Sequence, residues 1–584
     1  MTQEPLSALL GLDIGRINTR ASLFGIVDGK YRLLGCQTAS TSLGPELHLG
    51  TGAGEAMAVL QRESGHVFLK AEGGLVMPTT ADGLGIDQVA MTTSAGPRLK
   101  TVLLGLSREG SLAAGRALVH SLPLEILGCY GAADLVNESQ MLASLLALQP
   151  ELVILVGGED GGAKEFPLLW IEILRLFCCL IPDAIKPVVV FAGNAYLEDD
   201  IRRQLETQTQ LYIVPNIMPA QGEWDLVSAQ NLLEREILKI WDDRLPGMGE
   251  LSQLSQSLKG SKAFLISRSV RYLGRTVEDH RSDSGDRGLL IADLGGGSTA
   301  LSASLNGKTR TVMAEVWADV SITQNDDLLR EIHRWTAAPV TLQETAQILS
   351  TLALHPSVIP VTLRELALSQ SVARYQLRQM LHKLNEHVPW LSHNCQGYIT
   401  NHFEPVIASG AALTMAPTSG EAMLILLDGL QPCGITTMVL DKYHLLPLLA
   451  VVGESQPVLP VHVMNSDAFV NLGTVIAPIS RAPQGDVILK VWAETDTGKT
   501  FSVDIEQGTL RRLLIPAGDT AVLDLQPERR TDVGFRGRGV GGRVKVNGGQ
   551  LGVVIDARGR PLSLPDDDES RLEQLRRWLW ILGG

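Results

Sequence analysis

A chain of 584 residues is too long for one hydrophobic core and points to three or four domains. Its 45% hydrophobic and 20% charged residues describe a soluble globular protein, and a net charge of −14 argues against a general nucleic-acid binder, whose phosphate attraction needs a basic face. Six cysteines without CxxC spacing or a pairing rhythm, and twelve histidines without metal-ligand spacing, read as a cytoplasmic protein with reduced, buried thiols.

The apolar start is cut by Asp13 and Arg16 before any cleavage site, so no signal peptide is expected. The segment from Leu9 to Thr19 is an apolar strand, then a turn carrying Asp13, Gly15, Asn18 and Thr19, followed by an alternating strand from Arg20; this is a β-hairpin pattern. Further on, 152–156 and 187–191 are short buried strands that stop at glycine, as in a largely buried mixed sheet. The most hydrophobic stretch, 166–181, contains Glu172 and Arg175 and is too short for a bilayer, so it reads as a buried helix.

The hairpin pattern then returns. Leu289 to Thr299 aligns with Leu9 to Thr19 at a constant offset, Asp293 falling on Asp13, which predicts a duplicated α/β fold. Residues 320–400 read as a helical insertion, and 406–413 as a strand ending at Ser409-Gly410-Ala411 before a helix. Composition changes near Gly453: 454–565 is rich in short strands and Gly, Pro and Asp turns, which predicts an all-β barrel or sandwich, and Ser570 to Leu582 is an amphipathic helix. The expected units are 1–260, 261–453, 454–565 and 566–584.

The chemistry concentrates in the two hairpins. Gly295, Gly296 and Gly297 let backbone N–H groups converge on an anion, and Ser298 and Thr299 add hydroxyl donors. An acid beside a phosphate cradle makes sense if it orients hydrated Mg²⁺, so Asp13 and Asp293 are the candidate catalytic and metal residues, acting through water. In the first hairpin Gly15, Asn18, Thr19 and Arg20 are the phosphate-binding candidates, with the direction of Arg20 left open by periodicity. Ser409, Gly410 and Ala411 suit a flat ring such as adenine, or a plain strand-to-helix turn. The loop with Gly157, Gly158 and Asp160 is either a site loop or a sheet-edge loop. The basic, glycine-rich 534–545 reads as exposed hairpin loops, and the terminal helix as docked on its own β-domain.

Two phosphate loops and a late glycine turn in this order resemble the superfamily of actin, sugar kinases and heat-shock chaperone ATPases. More closely, Asp13 to Arg20, Met91 to Leu99, Leu155 to Gly162, Asp293 to Thr299 and Asp428 to Gly434 resemble the glutamate mutase L family, accessory proteins encoded with adenosylcobalamin-dependent aminomutases; the likeness spans about 8–450. It implies a duplicated actin-like (ribonuclease H-like) ATPase core, ATP with Mg²⁺ as ligand, and a chaperone or reactivating role toward a cobalamin-dependent mutase as protein partner. The chain departs from the superfamily in the bulky Arg16 and Ile17 of its first loop, and it has no cobalamin-binding DxHxxG. Weak Mg²⁺-dependent ATPase activity is expected, without nucleic acid or a membrane as partner. The alternatives are an actin-like scaffold recruited by its last helix, and a small-molecule kinase with Asp160 as base.

Overall fold

The apolar run Ala8–Ile14 ends beside Gly15 and turns back at once, which makes it one arm of a tight hairpin. In a computed structural model, which describes residues 7–44, 47–134, 137–256, 258–279, 287–316, 326–357, 359–387, 402–535 and 537–583, β1 (Ala8–Ile14) pairs antiparallel with β2 (Asn18–Val27), and β2 with β3 (Lys30–Ser40). Strand β4 (Gln88–Thr93) lies parallel to β1, and β10 (Lys259–Ser261) parallel to β4, so the first sheet runs β10-β4-β1-β2-β3.

The second half opens on the same arrangement. Strands β11 (Gly288–Leu294), β12 (Ser298–Leu305) and β13 (Lys308–Glu315) form an antiparallel meander, with β14 (Phe403–Ser409) parallel to β11. Register is shared as well: Asp13 lies opposite Arg20 and Thr92, and Asp293 opposite Ala300 and Ser409. This sheet continues through β15 (Gly434–Asp441), β16 (Phe469–Ala477), β22 (Val553–Asp556) and β19 (Leu510–Leu513).

Between β4 and β10 the chain builds a separate sheet of β5 (Leu99–Leu104), β6 (Leu124–Tyr130), β7 (Leu152–Leu155), β8 (Val188–Phe191) and β9 (Leu211–Ile213), in the order β6-β5-β7-β8-β9. All its pairings are parallel, so the mixed sheet expected there is corrected: this is a doubly wound sheet inserted whole into the first one. Both of its faces are buried, which is why its strands read as unbroken apolar runs. The helix Glu165–Leu180 covers one face with Trp170, Leu174 and Phe177 and leaves Leu180 exposed.

The helix Leu363–Glu386 packs on β12 and β13, and the helices Asp326–Arg334 and Leu342–Leu354 pack on it and on each other. The ends of this expected insertion, 320–325 and 388–400, lie outside the described residues, as do Cys395 and Arg536. Residues 454–565 do not keep to themselves. Strands β16, β19 and β22 complete the second sheet, while β17 (Val487–Thr495), β18 (Thr500–Glu506), β20 (Thr520–Pro527) and β21 (Gly542–Asn547) form a four-stranded sheet packed on it through Ile435, Ile476 and Ile555. The last helix, Asp568–Leu582, buries Leu575, Trp578 and Leu582 against the Ser419–Leu430 helix and β19. Its dock therefore includes the core of the second sheet rather than a β-domain alone.

Two helices tie the halves together. Leu446–Val452 crosses back from the second half onto β4, Leu448 filling the space beside Gly11, and it packs on Lys262–Asp279, which lies against β11 and β12. The two Asp-bearing hairpins are thereby brought turn to turn.

Candidate functional site

Each hairpin closes with the same hydrogen bond, Gly15 N–H to Asn18 O at 2.9 Å and Gly295 N–H to Ser298 O at 3.0 Å. The turn residues differ in size, and the difference is complementary. A Cβ on Gly296 would stand 2.8 Å from Ile17 Cδ1, and one on Gly297 would stand 3.0 Å from Arg16 Cβ. The bulky turn of the first hairpin thus fits against the bare backbone of the second. Arg16 reaches past it to Glu315 of β13 at 2.9 Å, an ion pair that joins the two halves.

The two aspartates are equivalent in register but not in surroundings. Asp13 accepts from Thr92 Oγ1 (2.7 Å) through Oδ1 and pairs with Arg20 Nη1 (3.1 Å) through Oδ2, so Arg20 points inward. At the place of Arg20 the second hairpin has Ala300, and the cation facing Asp293 is Lys262, 2.8 Å from Oδ2. Lys262 is buried. Burial works against its charge, but Asp293 and Asp13 outweigh it and hold its pKa above the ordinary lysine value. It opens a helix directly after β10, where Glu234 grips the preceding residue by accepting from both the N–H and the hydroxyl of Ser261 at 2.5 Å. Burial pushes the Glu234 carboxyl up to about 7 against the pull of those bonds.

Gly15, Asn18, Arg20, Gly295, Gly296, Gly297, Ser298 and Asp13 line one cavity, together with Arg16, Lys262, Ala411 and His444. Three cations face a single carboxylate there, which suits an anion. A larger cavity of about 1120 Å³, part of it open to solvent, adjoins it, and Ile17, Asn18, Gly295, Gly296 and Ala411 belong to both. Its far wall is mainly apolar, with Ala373, Ala412, Met415 and Pro417 among a few polar groups such as Gln370 and Gln376. Together they offer a charged pocket and a flat, greasy one in series.

Several expected residues stand elsewhere. Thr19 and Thr299 are buried outside this cation-lined cavity, Thr19 bonded to Thr41 (2.8 Å) and Thr299 to Gln376 (3.1 Å), because strand alternation turns them away from the face of Asn18 and Ser298. Of the adenosine candidates only Ala411 lines the cavities. Ser409 is buried beneath them, bonded to Asp441 (3.3 Å), and Gly410, at φ 105°, lets β14 pass against the backbone of Leu294, where any Cβ would collide. Gly157, Gly158 and Asp160 lie at the end of β7 in the inserted sheet and line neither cavity; Asp160 accepts from Ala195 N–H (2.9 Å) and Asn216 Nδ2 (3.0 Å). Asp428, from another of the resembling stretches, is wholly buried between Arg374 and Arg558, each at 2.8 Å, and serves the fold.

Sequence reasoning missed Lys262, Ser94 and His444. His444 Nδ1 accepts from Gly410 N–H (3.0 Å), so Nε2 carries the proton toward Thr414 Oγ1, and burial keeps the ring neutral well below the usual histidine range. Asp441, pushed up to about 6 by burial, accepts from Leu445 and Leu446 N–H at the head of the crossing helix (2.9 and 2.8 Å).

The side chains do not fit a metal bound directly by both aspartates; the contact through water expected from the sequence is a separate arrangement. Both Asp13 oxygens and one of Asp293 are engaged, and the Lys262 ammonium stands where the shared cation was expected. Among the described residues no group of three or more His, Cys, Asp or Glu could hold a metal.

The sequence pattern of the family described as MutL protein matches residues 9–468, and the chain belongs to that family, the glutamate mutase L group of the resemblance above. No curated protein matches. Among solved structures it is similar to gluconate kinase from Lactobacillus acidophilus (11% identity, 78% of this chain and 92% of that one, TM-score 0.29). Xylulose kinase from Bifidobacterium adolescentis (10%, 77% and 94%, 0.25) and a glycerol dehydratase reactivase (11%, 73% and 94%, 0.25) are also similar. With every TM-score well under 0.5, these likenesses carry no functional weight. Among the described residues no helix is long and apolar enough to cross a membrane.

Proposed function

We propose that this chain is an actin-like accessory ATPase. ATP places its phosphates in the cation-lined cavity at the two hairpin turns and its adenosine in the adjoining apolar cavity, within a duplicated core. The carrying observation is the junction of those cavities at Asn18, Gly295, Gly296 and Ala411. Arg20 and Lys262 neutralise phosphate charge, and the turn N–H groups and the side chains of Asn18 and Ser298 supply donors. Mg²⁺ would be held by the nucleotide's own oxygens and would supply further charge neutralisation there.

The partner implied by family membership is a cobalamin-dependent aminomutase in the cytoplasm, acted on as the two halves open and close around the nucleotide. The kinase alternative loses support from this geometry, since Asp160 is tied into the inserted sheet. The scaffold alternative drew on a free terminal helix, and that helix is docked. The test is calorimetry with ATP, ADP, AMP and GTP, each with and without Mg²⁺. ATP and ADP are expected to bind and to stabilise by about 2.7 kcal/mol at a hundredfold excess over Kd. No binding of any nucleotide at millimolar concentration would remove the reading.

A further inference from the structure

Arg16, Lys262 and Ser298 also border another cavity, about 460 Å³ including space open to solvent, which shares no lining residue with the apolar pocket. Ser94, Arg98, Trp241, Lys262, Asp293 and Glu315 are among its walls. It adjoins the phosphate cavity, since Arg16, Ser94, Lys262 and Ser298 line both, yet the aspartates divide: Asp13 lines the phosphate cavity and Asp293 this one.

Two buried atoms in this wall have no hydrogen-bond partner among the described residues. One is a donor, Arg98 Nε, and the other an acceptor, Asp293 Oδ1, on a side chain only 3% exposed. Buried polar atoms are normally paired, so an unmatched donor and acceptor on two residues that line one cavity point to a ligand that supplies both complements. The charges say which. Arg16, Arg98 and Lys262 outnumber Asp293 and Glu315, so the complement to Arg98 is an anion, while Asp293 needs a group that donates a proton. Beyond Arg98, His120 and His387 meet at 2.8 Å, both kept neutral first by burial, with Arg116 and Arg310 adding to the effect at His387. Glu315 and then Glu125 are the acids whose charge reaches Arg98, and neither outweighs its burial.

Orthophosphate has both features at neutral pH, charged oxygens together with a P–OH. Sulfate has the same shape and no proton to give. We infer that this chamber is an orthophosphate site, in which Arg98 and Lys262 take the charged oxygens and Asp293 Oδ1 accepts the P–OH. The stretch Met91 to Leu99, which the nucleotide pocket leaves almost unused, thereby acquires a role through Ser94 and Arg98. The site stands without the nucleotide reading; only the supply of phosphate from ATP rests on it.

The experiment is calorimetric titration of the full chain with inorganic phosphate, sulfate and ADP. Wild type is expected to prefer phosphate over sulfate at least tenfold, and Asp293→Asn to erase that preference, since an amide can donate where the carboxylate only accepted. Arg98→Gln should weaken phosphate at least tenfold and leave ADP affinity within twofold, with Arg98→Lys intermediate because it keeps the charge and lacks Nε–H. Gly296→Val should lose ADP and keep phosphate. If Arg98→Gln fails to fold, Arg98→Lys and Asp293→Asn carry the same comparison. No phosphate binding at millimolar concentration, equal affinity for sulfate, or phosphate lost in Gly296→Val and displaced by ADP would each overturn the site. Phosphate binding with no ADP binding would instead sink the nucleotide reading and leave this one standing. Labelled γ-phosphate retained after ATP turnover by wild type and not by Arg98→Gln would identify ATP as the source, and retention only of label added to solution would identify solution phosphate.

Discussion

At the scale of residues, the glycines of the second hairpin have two jobs that a substitution can separate. They border the cation-lined cavity with bare backbone, and they make room for Ile17 and Arg16. Gly296→Val should lower nucleotide affinity at least tenfold; overpacking a close contact costs about 1–3 kcal/mol. If crowding is the cause, adding Ile17→Ala should recover most of the loss, whereas an unchanged defect in the double variant would place it in the cradle itself. Glu234 offers a second test. Its folded pKa of about 7 lies above the unfolded value, so the native state holds the extra proton, and stability is full below about pH 4.5 and falls as pH rises to 7. The loss is on the order of 3 kcal/mol. Glu234→Gln still accepts the Ser261 N–H and should flatten that pH dependence; identical slopes in urea melts across pH 5 to 8 would refute it. The hairpins were legible because Asp, Gly and the alternating strands recur at one offset. Lys262 was not, because its place depends on β10 pairing with β4 across a long insertion, which no local pattern records. Thr19 and Thr299 were misread although alternation alone assigns them to the face opposite Asn18 and Ser298.

At the scale of elements, short strands bounded by Gly and Pro say that a strand exists and nothing about which sheet receives it. This is why 454–565 read as one all-β unit while β16, β19 and β22 cross into the second sheet. The inserted sheet was half legible: its apolar strands were recognisable, its all-parallel order was not. The terminal helix was legible in its periodicity, and what fixes its dock is a buried charge network. Arg558 bridges Asp428 and Asp556 at 2.8 Å each and stacks under Trp578 at 4.4 Å from the ring centre. Removing a buried tryptophan costs about 3–5 kcal/mol, and here it also uncovers a guanidinium. Trp578→Ala should therefore destabilise the second half by that order in denaturant melts, leaving nucleotide affinity within twofold because the helix lines neither cavity. Trp580→Ala, at a position 78% exposed, is the control and should change little. Equal effects of the two would mean that the helix is not docked as described.

For the whole molecule, the two halves meet turn against turn, through the Arg16–Glu315 and Lys262–Asp293 pairs, and along three helices, Leu446–Val452 on the first half, Val458–Met464 on β3 and Ser111–His120 on β13. The Arg16–Glu315 pair is part exposed and contributes at most about 1 kcal/mol, so it adds little to holding the two turns together. A polyphosphate there would touch Gly15 and Asn18 on one half and Gly295, Gly296 and Ser298 on the other. Its binding energy is then shared between the halves. The cations that receive it, Arg20 and Lys262, come with the protein. ADP should therefore slow amide exchange at both hairpin turns together, and should do so in EDTA as well as in Mg²⁺, with protection weakening as salt screens the contact. Lys262→Met should remove that protection on both sides at once, because the one ammonium lies within reach of Asp293 and of the field of Asp13. Protection of a single hairpin would mean that the ligand belongs to one half. Protection that vanishes in EDTA would return to a metal the role assigned here to Lys262.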